Sequence, residues 1–176
     1  MSKQIRLSGS GGQGMLLAGI ILSEAAIMDD KNAVQTQSYG PEARGGASKS
    51  EVIISEDKIA YPKVTVPDIM LALTQESYDK YAIDMNVNGI LVVDDTIELS
   101  GNDKCEIITI PIIKSARDEI GRVIVANIIA LGAITKASGV VSKDALEQAV
   151  LKRVPKGTEE LNKKALQTGF KLVANK

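Results

Sequence analysis

The stretch Gly9-Ser10-Gly11-Gly12-Gln13-Gly14 lies between a short strand-like run and a long apolar segment over residues 15–28. A glycine-rich turn in this context, with the pattern G-x-G-x-x-G, is typical of the first strand–turn–helix unit of an α/β fold. In such a unit Gly9 permits a tight turn, Gly11 allows a ligand or another backbone to approach closely, and Gly14 lets the helix pack against the strand. The helix N-terminus then directs free N–H groups and a partial positive charge over the loop.

The motif alone leaves two interpretations open. One is a phosphate or nucleotide site, and the other is a sharp crossover that binds nothing. A dinucleotide site usually has an acidic residue at the end of the second strand, but this strand ends in Gln37 and Ser38, and Asp29 and Asp30 come too early. The loop also lacks the Lys-Ser/Thr ending of a P-loop, which argues against a Walker-type NTPase.

The composition predicts one globular domain over residues 1–176. Apolar residues make up 44% of the chain but aromatic residues only 3%, so the core must be built from Ile, Val, Leu and Ala. The net charge of −1 and the absence of Trp argue against a nucleic-acid partner, which would need a basic surface or stacking platforms.

Few residues in this chain could carry catalysis or hold a metal. The chain has one cysteine, Cys105, and no histidine, so no cysteine cluster could hold an iron–sulfur centre or structural zinc. Cys105 is interpreted as a partly buried thiol at a strand edge. Asp94 and Asp95 follow a buried strand, where paired acids are more typical of solvated residues than of catalysis. We therefore expect no catalytic residue and no metal site.

The location of the chain is predicted from its apolar segments. The N-terminus lacks the apolar core of a signal peptide, and the most apolar segment, 123–135, is too short to cross a bilayer. A single thiol cannot form an internal disulfide, in keeping with a reducing compartment. We expect a cytoplasmic protein without membrane contact.

The hydrophobic pattern predicts a Rossmann-like, open, mostly parallel sheet with flanking helices and a helical C-terminal third. Strands are expected at 5–8, 33–37, 50–55, 68–73, 89–94 and 106–110, with a short edge piece at 59–62. Helices are expected at 15–28, 75–81, 116–120, 122–137 and 143–153, with a last one after Thr158. The helix at 122–137 is apolar on nearly every face apart from residues such as Asn127, so it should be buried within the domain or against another subunit.

A second irregular loop over residues 38–48 is rich in Gly and Pro. Because alternating strands and helices place the carboxyl ends of the first two strands on one edge, this loop should lie near the glycine turn. Arg44 among small residues is a candidate contact for an anion or a partner, and the alternative is a solvated arginine on a surface loop.

Three segments together resemble a known family: residues 9–14, residues 38–46 and residues 126–133. They are similar to the gamma subunit of 2-oxoacid:ferredoxin oxidoreductases, the group that contains the pyruvate and 2-oxoglutarate enzymes. The C-terminal spacing of Asn162, Ala165 and Gly169 fits as well. The resemblance covers nearly the whole chain.

The resemblance implies a function that the chain does not perform alone. Such complexes oxidise a 2-oxoacid with coenzyme A to an acyl-CoA and carbon dioxide, and they pass electrons to ferredoxin. Thiamine diphosphate is held by alpha and beta subunits and iron–sulfur clusters by beta and delta-type subunits, so the gamma chain carries neither. This chain is expected to be a non-catalytic subunit that contacts alpha, beta and delta-type partners and meets ferredoxin only indirectly.

The resemblance also implies a binding edge. It would face the subunits that hold the thiamine cofactor and shape the path of coenzyme A, with Arg44 paired to a phosphate or to a partner carboxylate. The residues assigned to this edge are Gly9, Gly11, Gly12, Gln13, Gly14, Tyr39, Gly40, Pro41, Glu42, Arg44, Gly45 and Gly46, and Asn127 is assigned to a buried or interface helix.

Several alternatives remain open at this point. The chain could be a free-standing protein that binds NAD, FAD or an adenine nucleotide, a small binding or regulatory module, or a subunit of an indolepyruvate oxidoreductase. Overall resemblance favours 2-oxoglutarate over pyruvate as the oxoacid. An isolated chain could pair with itself through a surface meant for its partners, as a homodimer.

Overall fold

The computed structural model of the protein describes residues 1–37, 46–101 and 104–174. Within these residues a mixed sheet has the strand order β2-β3-β1-β4-β5-β6. The strands are Ser2–Ser10 (β1), Asn32–Gln37 (β2), Ala47–Ser55 (β3), Ile69–Ala72 (β4), Ile90–Asp94 (β5) and Glu106–Ile110 (β6). Only β3 runs against the others, since it pairs antiparallel with β1 and β2 while β1, β4, β5 and β6 pair in parallel. The predicted mostly parallel α/β sheet is confirmed.

The helices alternate with the strands in the first part of the chain, as expected, and they dominate its C-terminal third. They are Met15–Met28 (α1), Gln75–Tyr81 (α2), Ile112–Ser115 (α3), Ala126–Ser138 (α4), Lys143–Arg153 (α5) and Glu159–Ala174 (α6). A π-helical turn, Ala116–Ile120, continues α3, and a 3₁₀ turn, Val123–Val125, leads into α4. The predicted caps are present: Thr74 accepts a hydrogen bond from the Ser77 N–H and Ser142 from the Ala145 N–H.

Some predicted boundaries are wrong. The segment 59–62 is not a strand, because the chain between β3 and β4 crosses the end of the sheet as irregular backbone. There the Gln4 side chain accepts hydrogen bonds from the Thr65 N–H at 2.6 Å and the Val66 N–H at 3.3 Å. β3 begins at residue 47, three residues earlier than predicted, because its pairing with β1 continues to the end of both strands.

The predicted helices at 116–120 and 122–137 also begin at other residues. The first one starts at Ile112, directly after Pro111, and the second starts at Ala126 after the 3₁₀ turn. Proline lacks a backbone N–H and is well suited to a helix start, which explains the earlier beginning of α3. Gly121, with φ of 79°, separates the two segments as predicted.

The two faces of the sheet are covered by different helices. In β4, Leu71 packs into the cluster formed with α1, α4, α5 and α6, whereas Met70 and Ala72 pack with Tyr78 and Tyr81 of α2. This alternation follows from the period of two along a strand. One face is therefore a large aliphatic core, and the other is a smaller layer under a single short helix.

The helix α4 is buried by the chain itself. All ten residues from Ala126 to Thr135 are buried, which confirms that this helix lies inside the domain. It crosses α6 at two glycines, where a Cβ on Gly132 would lie 2.5 Å from the Leu166 carbonyl oxygen and a Cβ on Gly169 would overlap the Ile129 carbonyl oxygen. The two backbones are therefore in direct contact.

A buried arginine ties the second layer to the sheet. Arg6 is 4% exposed and donates to Glu51 at 2.8 Å, to Asp84 at 2.6 Å and to the Tyr81 carbonyl at 3.0 Å. Burial lowers the pKa of the Arg6 guanidinium, but its hydrogen bonds to the two carboxylates outweigh burial and raise the pKa above its usual value. Arg6 is thus a charged structural anchor between β1, β3 and the end of α2.

Candidate functional site: the glycine loop and the carboxyl edge of the sheet

The glycine loop, residues 9–14, joins the end of β1 to the start of α1 at the carboxyl edge of the sheet. Its sharp turn is made by Gly12, with φ of 90°, and Gly14, with φ of 75°. Both values lie in the left-handed region that glycine adopts without strain. Gly9 has no such conformation, so it does not form the bend of the backbone itself.

Gly9 instead makes room for a side chain of the loop. A Cβ on Gly9 would overlap the Oε1 atom of Gln13. That oxygen accepts a hydrogen bond from the Ser10 N–H at 2.7 Å, and the Gln13 N–H donates to the Ser10 carbonyl at 3.2 Å. The carboxamide of Gln13 therefore folds back over the strand end and closes the turn.

Gly14 makes room for a second carboxamide. It is the N-cap of α1, and a Cβ there would lie 2.5 Å from the Nδ2 atom of Asn127, which donates to the Gly14 carbonyl at 3.3 Å. Asn127 is 5% exposed and lies in the first turn of α4. Gly14 itself contacts α4, whereas the helix that it begins, α1, packs against β1 and its neighbouring strands as predicted.

The second irregular loop returns to the sheet beside the glycine loop. The Gly11 N–H donates to the Gly46 carbonyl at 3.2 Å, just before β3 begins. β2 ends at the same edge as β1, since Gln37 pairs with Ser50 and Ser50 pairs with Leu7. Six residues assigned to this edge lie outside the described part of the chain: Tyr39, Gly40, Pro41, Glu42, Arg44 and Gly45.

The edge offers backbone N–H groups that have no hydrogen-bond acceptor among the described residues. The N–H groups of Ser10, Gly11 and Gln13 are used within the two loops. The first helical bond of α1 runs from the Ala18 N–H to the Gly14 carbonyl, and no side chain caps the helix. Within the described residues, the N–H groups of Gly12, of Gly14 and of residues 15–17 donate to nothing. These donors suit an anion or the carbonyl oxygens of a partner.

Comparison with known proteins identifies the family. Residues 4–172 match the family model described as pyruvate ferredoxin/flavodoxin oxidoreductase. This chain belongs to that family. It is 52% identical to the 2-oxoglutarate synthase subunit KorC of Methanocaldococcus jannaschii, over 98% of this chain and 94% of that relative. It is 48% identical to the KorC subunit of Methanothermobacter marburgensis, over 98% and 97% of the two chains.

The structural comparison agrees with the sequence comparison. The crystal structure of a keto/oxoacid ferredoxin oxidoreductase gamma subunit from Geobacter sulfurreducens superposes with a TM-score of 0.92 at 50% identity, covering 99% of this chain and 98% of that one. The chain is thus a gamma subunit of a 2-oxoacid:ferredoxin oxidoreductase, and the resemblance carried by the three sequence segments is confirmed. The ketoisovalerate oxidoreductase subunit VorA of Methanothermobacter thermautotrophicus is 34% identical over 73% of this chain, which corresponds to only 27% of that relative.

The acidic pair at the end of β5 has a structural role in this gamma subunit. Asp94 is fully buried, and its carboxylate accepts hydrogen bonds from the Ile113 N–H at 2.8 Å and from the Thr96 hydroxyl at 2.6 Å. The prediction that both acids meet water is therefore wrong for Asp94, which caps the start of α3, and right for the exposed Asp95.

Other chemistry is sparse in the described part of the gamma subunit. Cys105 is partly buried directly before β6, as predicted. Residues 1–37, 46–101 and 104–174 contain no group of three or more His, Cys, Asp or Glu side chains that could hold a metal ion. Over the same residues, none of the helices combines the length and the apolar character that a membrane crossing would need.

Proposed function

We propose that this gamma subunit belongs to a cytoplasmic 2-oxoglutarate:ferredoxin oxidoreductase complex. The reaction is the oxidative decarboxylation of 2-oxoglutarate with coenzyme A to succinyl-CoA and carbon dioxide, with electrons passed to ferredoxin. The observation that carries this proposal is the 52% identity, over nearly the full length of both chains, to a 2-oxoglutarate synthase subunit. Similarity to the pyruvate synthase subunit PorC of Methanosarcina barkeri is lower, at 32%.

The subunit itself contributes to the assembly of the complex and to the access of coenzyme A, and it carries out no chemical step. Thiamine diphosphate and the iron–sulfur clusters belong to alpha, beta and delta-type partners. This division is supported by the residues of the chain, which has no histidine and a single cysteine. An electron relay within this chain would lack the cysteine ligands of an iron–sulfur cluster, and an acyl transfer would lack a histidine base.

The carboxyl edge of the sheet is proposed to face those partners and the path of coenzyme A. Its unbonded N–H groups at Gly12, Gly14 and the first turn of α1 can bind a phosphate or a partner carbonyl without any side-chain charge. Arg44 supplies a cation on the neighbouring loop, where a guanidinium can pair with a phosphate or a carboxylate. An isolated chain could self-associate through the same edge.

The glycine loop argues against a free-standing nucleotide-binding role. In the glycine loop three N–H groups that could contact a pyrophosphate are already bonded within the two loops, and β2 ends without the acidic residue that holds a ribose.

The oxoacid is tested by substrate profiling of the native complex. The complex that contains this chain is assayed for ferredoxin reduction with coenzyme A and with 2-oxoglutarate, pyruvate, 2-oxoisovalerate or indolepyruvate. We expect kcat/KM for 2-oxoglutarate to exceed the others by roughly two orders of magnitude, because a site built around a second carboxylate leaves polar groups unpaired with the acids that lack it. A preference for pyruvate or indolepyruvate would overturn the assignment.

The role of the edge is tested with Arg44→Ala in the assembled complex. We expect a higher KM for coenzyme A with little change in the KM for the oxoacid, or a complex that dissociates more readily. Lys58→Ala, an exposed basic residue at the opposite edge of the sheet, is the matched control and should change neither quantity. Unchanged KM and unchanged assembly for Arg44→Ala would make Arg44 an ordinary surface residue.

A further inference from the structure

Among the residues described, the carboxamide of Gln13 is the one side chain from within residues 9–14 that bonds to the backbone of the glycine loop. Its Oε1 atom accepts the Ser10 N–H at 2.7 Å, three residues back along the chain. The space that it occupies exists only because Gly9 has no Cβ. Gln13 and Gly9 are therefore a matched pair, in which the missing Cβ of one residue holds the side chain of the other.

This closure decides which donors remain at the edge. The N–H groups of Ser10, Gly11 and Gln13 are bonded within the two loops, whereas the Gly12 N–H has no acceptor among the described residues. Gly12 is exposed, with open space where a Cβ would be. If the carboxamide left its position, the Ser10 N–H would lose its acceptor at a strand end. The peptide units from Ser10 to Gly12 would then be held only by the Gly11 N–H bond to the Gly46 carbonyl and the Gln13 N–H bond to the Ser10 carbonyl.

We propose that Gln13 is a positioning residue for the reaction of the complex: it fixes the glycine loop so that its unbonded donors keep one arrangement toward coenzyme A or the partner backbone. The inference rests on the proposed function of this edge. Gln13 touches no reacting group, and it acts through the backbone of residues 10–12. A positioned backbone donor contributes to binding without reorganisation at the moment of contact.

The chemistry of the side chain accounts for the choice of residue. The Ser10 N–H needs an acceptor at the reach of a side chain with two methylene groups, which Gln and Glu have and Asn lacks. Glu would keep this hydrogen bond but would place a negative charge beside the helix N-terminus, where an anionic ligand is expected. A neutral acceptor closes the loop and leaves the positive end of α1 available.

The positioning is tested first in the full chain, without the complex, by residue-resolved amide hydrogen exchange. In Gln13→Ala we expect the Ser10 N–H to exchange roughly five- to tenfold faster, the change that corresponds to one lost hydrogen bond. Gln13→Glu should exchange at the wild-type rate because it keeps the acceptor. Gln167→Ala, an exposed glutamine on α6, is the control and should not change Ser10. Unchanged exchange in Gln13→Ala would overturn the proposal.

A double-mutant cycle gives a second, independent reading. Gly9→Ala should expel the carboxamide and reproduce the faster exchange of Gln13→Ala, because the added methyl group takes the position of Oε1. In the double variant the two effects should not add, since the next atom that the methyl group would meet is the Leu73 Cβ at an ordinary 3.4 Å. Additive effects would mean that the two residues act separately, which contradicts the proposal.

Kinetics of the assembled complex separate this inference from the proposed function. In Gln13→Ala we expect KM for coenzyme A to rise several-fold with kcat changed less than twofold, and Gln13→Glu should raise KM through charge alone. Faster Ser10 exchange with an unchanged KM in both variants would preserve the positioning role and overturn the proposed path of coenzyme A. A fall in kcat with KM unchanged would contradict a role in positioning.

Discussion

Glycine serves opposite purposes in two regions of this subunit. At the α4–α6 crossing, Gly132 and Gly169 let two backbones touch, and the neighbours of a hypothetical Cβ are carbonyl and amide atoms. In the glycine loop, Gly9 and Gly14 make room for the flexible side chains of Gln13 and Asn127. At the crossing, glycine allows the backbones of α4 and α6 to come into contact. In the loop, glycine makes room for polar side chains that hydrogen-bond to the backbone.

The comparison teaches that tolerance to substitution depends on which atoms a Cβ would meet. Backbone atoms of two packed helices cannot yield without moving both helices, so the crossing should resist any added atom. A carboxamide can rotate away at the expense of one hydrogen bond, so an added atom in the loop should destabilise the fold less than one at the crossing. Three substitutions sharpen this contrast.

The largest effect is expected for Gly169→Ala. The added methyl group would overlap the Ile129 carbonyl oxygen, so α6 must move away from α4 along the largest helix contact of the core. We expect the free energy of unfolding to fall by about 3 kcal/mol or more, and the melting temperature to fall by roughly 6–12 °C. Thermal unfolding followed by circular dichroism measures both. Gly139→Ala, in open space at the end of α4 with φ of 63°, is the control and should lose only about 1–2 kcal/mol from backbone strain. Equal losses in the two variants would contradict the close helix contact.

A smaller effect is expected for Gly14→Ala. Its φ of 75° strains any residue with a Cβ by about 1–2 kcal/mol, and the contact with the Asn127 amide adds little because that side chain can rotate. Chemical denaturation of Gly14→Ala, Asn127→Ala and the double variant separates the two terms. The strain should persist in the double variant, whereas a full return to the stability of Asn127→Ala would show that the side-chain contact was the whole effect.

The smallest effect is expected for Thr135→Val, which should raise the free energy of unfolding instead of lowering it. The hydroxyl of Thr135, buried in α4, has no hydrogen-bond partner among the described residues. Thr135→Val removes an unpaired polar group at nearly constant volume, and we expect the free energy of unfolding to rise by about 1 kcal/mol. Thr168 of α6 provides the matched control, because its hydroxyl donates to the Lys164 carbonyl at 3.0 Å. Thr168→Val should be neutral or destabilising, and a stabilised Thr168→Val would contradict the explanation.

The fold could be predicted from the sequence wherever a signal is local. The caps at Thr74 and Ser142 and the apolar run of α4 each depend on neighbouring residues, and each was found as predicted. The reversed direction of β3 and its extension to Ala47 depend on pairing with a distant strand, which no local pattern encodes. The segment 59–62 has the composition of a strand but no strand to pair with.

The sequence predicted the position of the glycine loop but not the side-chain contacts that hold it. The glycine pattern indicated the loop, yet it did not show that Gly9 makes room for Gln13 or that Gly14 contacts Asn127. A signal for Gln13 was present: a Gln three residues after a Ser before a helix resembles the capping box, in which such a side chain returns to an earlier N–H. The contact between Gly14 and Asn127 spans 113 residues, so only the folded chain could show it.

The most direct test of the account is native co-purification. A tagged copy of this chain is expressed in its own cells, isolated under anaerobic conditions and examined for bound proteins and cofactors. We expect larger chains to remain bound, together with thiamine diphosphate and the visible absorbance of iron–sulfur clusters, and the isolated complex to reduce ferredoxin with 2-oxoglutarate and coenzyme A. A chain that emerges alone under mild conditions, or with a nucleotide bound at the glycine loop, would contradict its role as a subunit of this oxidoreductase.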